Sequence, residues 1–177
     1  MKNLISKLFL LSGLLFLLIS SYLLYLRYAS HPLTFERRPA TVNSLSYETP
    51  RSIEIPSINV NLPIVAALIH GKIWETTDRG ISYLSSSPVP GQKGNSVMYG
   101  HNWKSILGNL SKVKPGQKLI VTMQNGKRKV FNIEYTATVK PDQTNIIDST
   151  NDTRLTIYTC IGFLDSKRFV VVAKPSV

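Results

Sequence analysis

The sequence predicts an all-β domain, an antiparallel sandwich or a closed barrel, preceded by an N-terminal membrane helix. Short apolar runs rich in Val, Ile, Tyr, Phe and Thr alternate with turn signals after about residue 50, a spacing typical of all-β folds. A strongly apolar, uncharged run comes first, at residues 8–26. The composition, 43% hydrophobic and 18% charged residues, fits a globular domain with an anchor.

The N-terminal apolar run has the length of a membrane-spanning helix, for which about 20 residues suffice. A cleavable signal peptide is the alternative, but its apolar region is usually about 7–15 residues long and ends in small residues spaced as A-x-A. Here Arg27 stands two positions before Ala29, which makes a poor cleavage site. We therefore predict an uncleaved signal anchor at residues 8–28, although the basic residues flanking it do not decide its orientation.

The rest of the chain divides into a linker and one domain. Residues 29–50 show no clear period and are rich in proline, which predicts a linker. The domain is expected at 51–177, with Asn125–Gly126 as a hairpin turn and short helical turns at 103–113 and 78–84. Strands are predicted at residues 53–56, 60–68, 95–101, 118–123, 129–139, 154–160 and 168–174.

The chain is basic, with 21 Lys and Arg against 10 Asp and Glu and a formal net charge of +11. Such an excess favours anionic surroundings, and Lys127, Arg128 and Lys129 form one tight cluster. The sequence has no zinc-finger spacing, RNA-binding aromatic signature or leucine heptad. We therefore expect no nucleic-acid partner, and a basic surface beside an acidic membrane or wall.

Cys160 is the only cysteine of the chain and ends a predicted strand, while Arg168 begins the next. If the two strands form an antiparallel hairpin, these residues face each other with Cβ atoms about 5 Å apart. An adjacent guanidinium favours a thiolate and can stabilise an oxyanion. The alternative is a small buried hydrophobic residue beside an ordinary surface cation.

A nucleophilic cysteine needs an acid or base nearby, and the chain has three histidines. His31 lies in the linker, and His70 precedes a turn glycine. His101 ends an apolar strand, as Cys160 does, and is the best candidate. Its alternative role is that of a loop residue that forms hydrogen bonds.

The sequence gives no reason to expect a metal or cofactor. The histidines are far apart, and no H-E-x-x-H, C-x-x-C, G-x-G-x-x-G or Walker motif occurs. The acidic residues are too scattered to predict a calcium site. Asp165 is a conceivable orienting carboxylate, but a turn aspartate is much more common.

Four segments together resemble the sortases, membrane-anchored cysteine transpeptidases of bacterial surfaces. They are PSINVNLPIV, PGQKGNSVMYGHN, LTIYTC and the arginine eight positions after the cysteine. The resemblance covers about residues 53–175 in order, and the family signature T-L-x-T-C occurs at residues 156–160 with Ile157 in place of Leu. No second apolar segment follows the domain, which argues against the pilus-building subgroup with a C-terminal anchor.

The resemblance implies a closed eight-stranded β-barrel with one or two short helices, and residues 1–7 in the cytoplasm with the domain outside. It implies His101, Cys160 and Arg168 as the catalytic residues. Cys160 would attack the threonine carbonyl of an LPXTG-like sorting motif in a surface protein to give a thioester. Arg168 would stabilise the oxyanion and His101 would transfer the protons. An amine of a cell-wall precursor, or a pilin lysine, would then accept the acyl group.

Two other functions remain possible from the sequence. An L,D-transpeptidase would carry histidine two positions before the cysteine, where this chain has Tyr158. The second is a non-catalytic anchored β-domain that binds anionic wall polymer through the cluster of Lys127, Arg128 and Lys129. Only the catalytic hypotheses predict that Cys160→Ala abolishes function while the fold is retained.

Overall fold

The computed structural model describes residues 2–28, 49–70 and 73–176, which fall into two compact units. The first is an N-terminal helix and the second is a β-rich domain. The predicted linker at 29–50 lies outside the described residues except for its last two. His31 lies outside them as well.

The helix, α1, runs over Lys2–Tyr28, longer at its N-terminal end than the apolar run. Its span Ile5–Tyr25 has a mean hydropathy of 2.2 and is long and apolar enough to cross a membrane. A signal sequence near the N-terminus meets the same criteria of length and composition. The span therefore fits the predicted anchor.

The second unit is a closed barrel of eight strands, as the resemblance implies. The strands lie in the order β1-β2-β5-β6-β9-β10-β8-β7, and the pairing of β7 with β1 closes it. A separate hairpin consists of β3 and β4. The bounds are β1 Pro50–Ile55, β2 Val60–Ala67, β3 Ile69–His70, β4 Ile73–Trp74, β5 Ile81–Leu84, β6 Gly94–Tyr99, β7 Lys118–Met123, β8 Arg128–Val139, β9 Thr153–Ile161 and β10 Lys167–Pro175.

The barrel is mixed rather than purely antiparallel, because β2 pairs with β5 and β6 pairs with β9 in parallel. The helical turn predicted at 78–84 is wrong: Ile81–Leu84 is strand β5, and all four of its residues are buried. A strand that is covered on both faces shows no alternation of apolar and polar residues. That pattern is easily confused with a short buried helix.

The short helices of the described residues are all 3-10 helices. One of them, Leu110–Lys112, falls in the segment predicted as a helical turn at 103–113. The others are Pro56–Ile58, Thr144–Ile147 and Phe163–Asp165. The described chain therefore has four such helices where one or two were expected.

The β7–β8 hairpin confirms the turn predicted at Asn125–Gly126. The Lys127 carbonyl accepts a hydrogen bond from the Met123 amide at 2.8 Å, and the Asn125 side chain accepts one from the Lys127 amide at 3.0 Å. Gly126 has a φ of +80°, which a residue with a side chain rarely adopts.

Two apolar clusters lie on the opposite faces of β9 and β10. Leu155 and Ile157 of β9 join the larger cluster, which includes residues from most strands of the barrel. Tyr158 and Cys160 join the smaller cluster on the other face. Side chains therefore alternate between the two faces along β9, as is typical of a strand. The smaller cluster comprises Ala67, Trp74, Leu84, Val97, Tyr99, Tyr158, Cys160, Val170 and Val172.

Candidate active site at three strand ends

The strand register aligns the three candidate residues at one end of the sheet. In the antiparallel β9–β10 pair, Cys160 and Arg168 are direct partners, which confirms the predicted pairing. In the parallel β6–β9 pair, Tyr99 is the partner of Tyr158. His101 lies two residues beyond Tyr99, as Cys160 lies two residues beyond Tyr158. Strand β6 ends at Tyr99, but the Gly100 amide continues towards His101 by donating a hydrogen bond to the Tyr158 carbonyl oxygen at 3.3 Å. Neighbouring strands are about 4.8 Å apart.

Cys160 and Arg168 belong to the same side of the sheet, because they are direct partners and side chains alternate along a strand. Val97 and Tyr99 of β6 pack in the smaller cluster, as Cys160 does. His101 follows two residues after Tyr99, where β6 ends. The rings of Tyr99 and Tyr158, stacked with centroids 5.4 Å apart, form the layer next to this row of residues.

Cys160 is buried, with 3% of its surface exposed. Burial raises the pKa of its thiol to about 12, although the Arg168 charge acts in the opposite direction. The thiol is therefore protonated at neutral pH. A chemical role for this cysteine requires that a bound partner or a local movement expose it and stabilise its anion.

Arg168 is almost as buried as the cysteine, with 5% of its surface exposed. Its Nη1 donates hydrogen bonds to the carbonyl oxygens of Asp165 at 2.7 Å and Lys167 at 3.2 Å. These contacts tie the guanidinium to the loop that joins β9 to β10. A fixed cation opposite the thiol is the main feature that distinguishes this cysteine from an ordinary core residue.

The β9–β10 loop has an unusual backbone. Leu164 and Asp165 have φ values of +51° and +56°, and Gly162 has a φ of +85°. A Cβ at Gly162 would lie 2.8 Å from Ser166 Oγ. Such conformations cost energy and cluster at functional sites. Next to them, Phe163 has 77% of its surface exposed.

His101 is half-buried and stacks on Trp103, with ring centroids 4.5 Å apart and planes inclined by 11°. Burial lowers the pKa of His101, while the charges of Asp165 and Asp78 act to raise it. The imidazole is therefore mainly neutral at pH 7. Asp165 also acts on the Cys160 thiol, so its carboxylate influences two of the three candidates.

The β3–β4 hairpin carries a site neighbour that the sequence analysis did not identify. Trp74 is buried edge-on against the rings of Tyr99 and Tyr158. Tyr99 donates a hydrogen bond of 2.6 Å to the Glu75 carbonyl oxygen. The sequence pattern that could have predicted this hairpin is the set of aromatic and β-branched residues at 69–74. The His70 backbone belongs to β3, apart from the three strand ends.

A buried amide holds the segment before β9 against the sheet. Asn95 donates hydrogen bonds to the carbonyl oxygens of Ile146 at 3.2 Å and Asp148 at 3.1 Å, and accepts one from Thr156 at 2.7 Å. Ile146 and Ile147 pack against the smaller cluster. This segment therefore borders the same face as Cys160.

The basic cluster at 127–129 is partly engaged within the protein. Arg128 forms an ion pair of 3.1 Å with Glu54, and Lys129 Nζ donates a hydrogen bond to the Pro90 carbonyl oxygen at 2.8 Å. A polar recess nearby is lined by Arg51, Glu54 and Arg128 among others, and Cys160, Arg168 and His101 are not among its lining residues. These contacts do not favour a dedicated polymer-binding site there.

Metal ligands are not grouped in the part of the chain that the structure describes. No set of three or more His, Cys, Asp or Glu side chains is close enough there to hold a metal ion. The chemistry available at the strand ends is that of the thiol, the imidazole and the guanidinium.

Comparison with known proteins supports the resemblance seen in the sequence. A family model described as Sortase domain matches residues 53–176. Sortase A of Listeria monocytogenes is 31% identical over 127 residues, which is 70% of this chain and 54% of that protein. Sortase D of Bacillus subtilis is 27% identical over 127 residues, 69% of this chain and 61% of that protein. The matched region thus spans little more than half the length of these relatives.

The fold has counterparts among solved structures. The crystal structure of Listeria monocytogenes sortase A is similar to this one with a TM-score of 0.61 and 28% sequence identity. The similarity covers 75% of this chain and 89% of that chain.

Proposed function

Because the chain belongs to the sortase family, we propose that it is a cysteine transpeptidase with Cys160 as nucleophile, His101 as proton carrier and Arg168 as oxyanion stabiliser. The observation that carries the proposal is the direct pairing of Cys160 with Arg168 on β9 and β10, next to the strand that leads to His101. A buried cation opposite a single thiol is an arrangement suited to acyl transfer.

The first half of the reaction forms a thioester. His101 takes the proton of the Cys160 thiol, and the sulfur attacks the threonine carbonyl carbon of an LPXTG-like motif. The tetrahedral oxyanion then lies against the Arg168 guanidinium. When the C–N bond breaks, the imidazolium gives its proton to the leaving glycine amine.

The second half transfers the acyl group. An amine, from a cell-wall precursor or a pilin lysine, attacks the thioester and loses its proton to His101, and the Cys160 thiolate leaves. A thioester is reactive enough for this aminolysis, provided that the site limits access of water. The product is a surface protein joined to its acceptor by an amide.

The proposed location is the outer side of the cell membrane. Residues 8–28, within the helix Lys2–Tyr28, serve as a single-pass anchor, and residues 1–7 lie in the cytoplasm. Residues 29–50 link the anchor to the catalytic domain at 51–177. In this arrangement the domain meets both its partners, secreted proteins with a sorting motif and amine acceptors of the wall.

A ligation assay tests the proposal. The full chain in detergent micelles is incubated with LPXTG-like peptides and candidate amines, and the ligated product is quantified by chromatography. We expect product from the parent chain and none from Cys160→Ala, with large losses in His101→Ala. If Cys160→Ala forms product at the parent rate, Cys160 is not the nucleophile; if the parent chain forms no product with any peptide, the transpeptidase hypothesis fails.

A further inference from the structure

Trp103 is the aromatic residue in direct contact with the His101 ring. The two rings are nearly parallel, inclined by 11° with centroids 4.5 Å apart. Trp103 nevertheless has 46% of its surface exposed, so it is not a core residue held only by burial. Its stack on the His101 ring is therefore a contact of the surface turn and not of the apolar core.

The backbone around this pair is tightly fixed. The Trp103 carbonyl oxygen accepts hydrogen bonds from the amides of Ile106 at 2.9 Å and Gly108 at 2.8 Å. The His101 carbonyl oxygen accepts one from the Leu107 amide at 3.1 Å. Ile106 and Leu107 are buried in the larger apolar cluster. The barrel core thereby anchors the turn that carries both rings.

Gly108 shows how closely the turn is packed. A Cβ there would lie 2.7 Å from the Trp103 carbonyl carbon and 2.8 Å from its oxygen. These are backbone atoms and cannot move aside easily. The position of the Trp103 backbone, and with it the stacking partner of His101, is therefore set by the fold.

We propose that Trp103 is a positioning residue, whose indole holds the His101 imidazole beside Cys160 and Arg168 and favours the protonated ring. The inference rests on the proposed function, since it assigns how the proton carrier of that reaction is held. The π face of an indole attracts a cation stacked on it. Stacking also limits the rotation of the imidazole, which keeps it at the strand ends.

The charges that act on His101 come from two other loops. Asp165 lies in the β9–β10 loop and Asp78 precedes β5, and both raise the pKa of the imidazole, against the effect of burial. Cys160 is on β9, the strand next to β6, and Arg168 is on β10, the strand beyond β9. These four charged or titratable groups are the same in every variant of residue 103. A substitution at 103 therefore tests the contribution of the indole.

Two variants distinguish the effect of an aromatic π face from the effect of merely covering the imidazole with an apolar side chain. Trp103→Phe keeps an aromatic face, whereas Trp103→Leu covers the imidazole with an apolar side chain that has no π face. The His101 pKa is measured by NMR in the full, histidine-labelled chain in detergent micelles, with the signal assigned by its loss in His101→Asn. Circular dichroism establishes that both variants are folded.

We expect the His101 pKa to be higher in the Phe variant than in the Leu variant by about half a pH unit. At pH 7 the Leu variant should then ligate with kcat/KM about threefold below that of the Phe variant, because a unit of pKa is a factor of ten. Equal pKa values in the two variants would overturn the proposal.

The pKa measurement needs no substrate, so it separates the two hypotheses. If the pKa values differ as expected but no variant ligates any peptide, the effect of Trp103 on protonation stands and the transpeptidase function fails. If all variants ligate, and the acid side of their pH profiles of kcat/KM gives the same pKa, the transpeptidase function stands and Trp103 is not a positioning residue.

Discussion

At the residue scale, the protonation of Cys160 and His101 governs the proposed chemistry. Burial raises the pKa of Cys160 to about 12 and lowers that of His101. In the unliganded protein at pH 7 both groups are therefore mainly neutral. The reactive thiolate and imidazolium pair is a minor fraction, which substrate binding must stabilise.

This order of pKa values predicts the pH profile of kcat/KM. The reactive pair carries one proton on its two groups, so its population rises as pH increases through the His101 pKa, below 6.5. It falls only as pH approaches the Cys160 pKa, near 12. Between these limits kcat/KM should stay level, which ligation rates from pH 5 to 9 would reveal. A maximum near pH 7 with a loss by pH 8 would contradict this order.

Arg168→Lys tests the guanidinium without removing its charge. Lysine is a point donor and does not reproduce the planar fork of arginine. We expect kcat/KM to fall about 100-fold, the effect of losing one oxyanion donor. The matched control is Arg154→Lys, which weakens the 2.7 Å ion pair with Asp152 elsewhere on β9. A similar loss of activity in the control would show that general destabilisation, not the oxyanion, explains the result.

Sequence reasoning reached Cys160 and Arg168 because both lie in one hairpin, where strand periodicity fixes the register. It gave the burial of the thiol only as an alternative and favoured an ordinary turn role for Asp165. The structure buries the thiol and places the Asp165 charge where it acts on it. Sequence reasoning assigned no role to Trp103. Its stacking depends on the turn at 103–108, which periodicity does not describe.

At the element scale, the position of His101 depends on the parallel pairing of β6 with β9. No local pattern in either strand predicts this pairing, because parallel partners are joined by long connections. Before the fold was known, His101 was linked to Cys160 only by its similar placement at the end of an apolar strand and by the resemblance to the sortases. Strand β5 was missed for a related reason: it is short and buried on both faces.

Gly108→Ala tests the turn that carries His101 and Trp103. The added Cβ would meet Trp103 backbone atoms at 2.7 and 2.8 Å, so we expect a stability loss of about 1–3 kcal/mol. The displaced turn should also lower kcat/KM at least tenfold by misplacing His101. Thermal unfolding and the ligation assay measure the two effects.

Gly116→Ala is the control for that variant. Gly116 has a φ of +83°, but a Cβ added there would meet no atom of the described residues within 4 Å. The substitution should cost of order 1 kcal/mol in backbone strain and leave kcat/KM unchanged. If both glycine variants lose activity equally, the close contact at Gly108 is not what positions His101.

At the scale of the whole molecule, the helix Lys2–Tyr28 and the barrel have separate tasks in the proposed function. The apolar span Ile5–Tyr25 is long and apolar enough to cross a membrane, and the net charge of +11 suits a domain among anionic wall polymers. The composition predicted both parts. It could not predict the orientation, because basic residues flank the span on both sides.

Protease accessibility tests the proposed orientation. In intact cells freed of their wall, added trypsin should digest the barrel domain while a cytoplasmic marker protein survives. The digestion should leave a small membrane-bound fragment that contains the N-terminal helix. Protection of the domain until the cells are lysed would place it on the cytoplasmic side.

The most direct test of the central claim is the mass of the full chain after incubation with an LPXTG-like peptide and no amine. The account predicts an adduct equal to the acyl fragment, located on Cys160, which disappears when an amine is added as ligated product forms. Cys160→Ala should show no adduct. An unmodified Cys160 in a chain that still ligates the peptide, or an adduct that persists on Cys160→Ala, would contradict it.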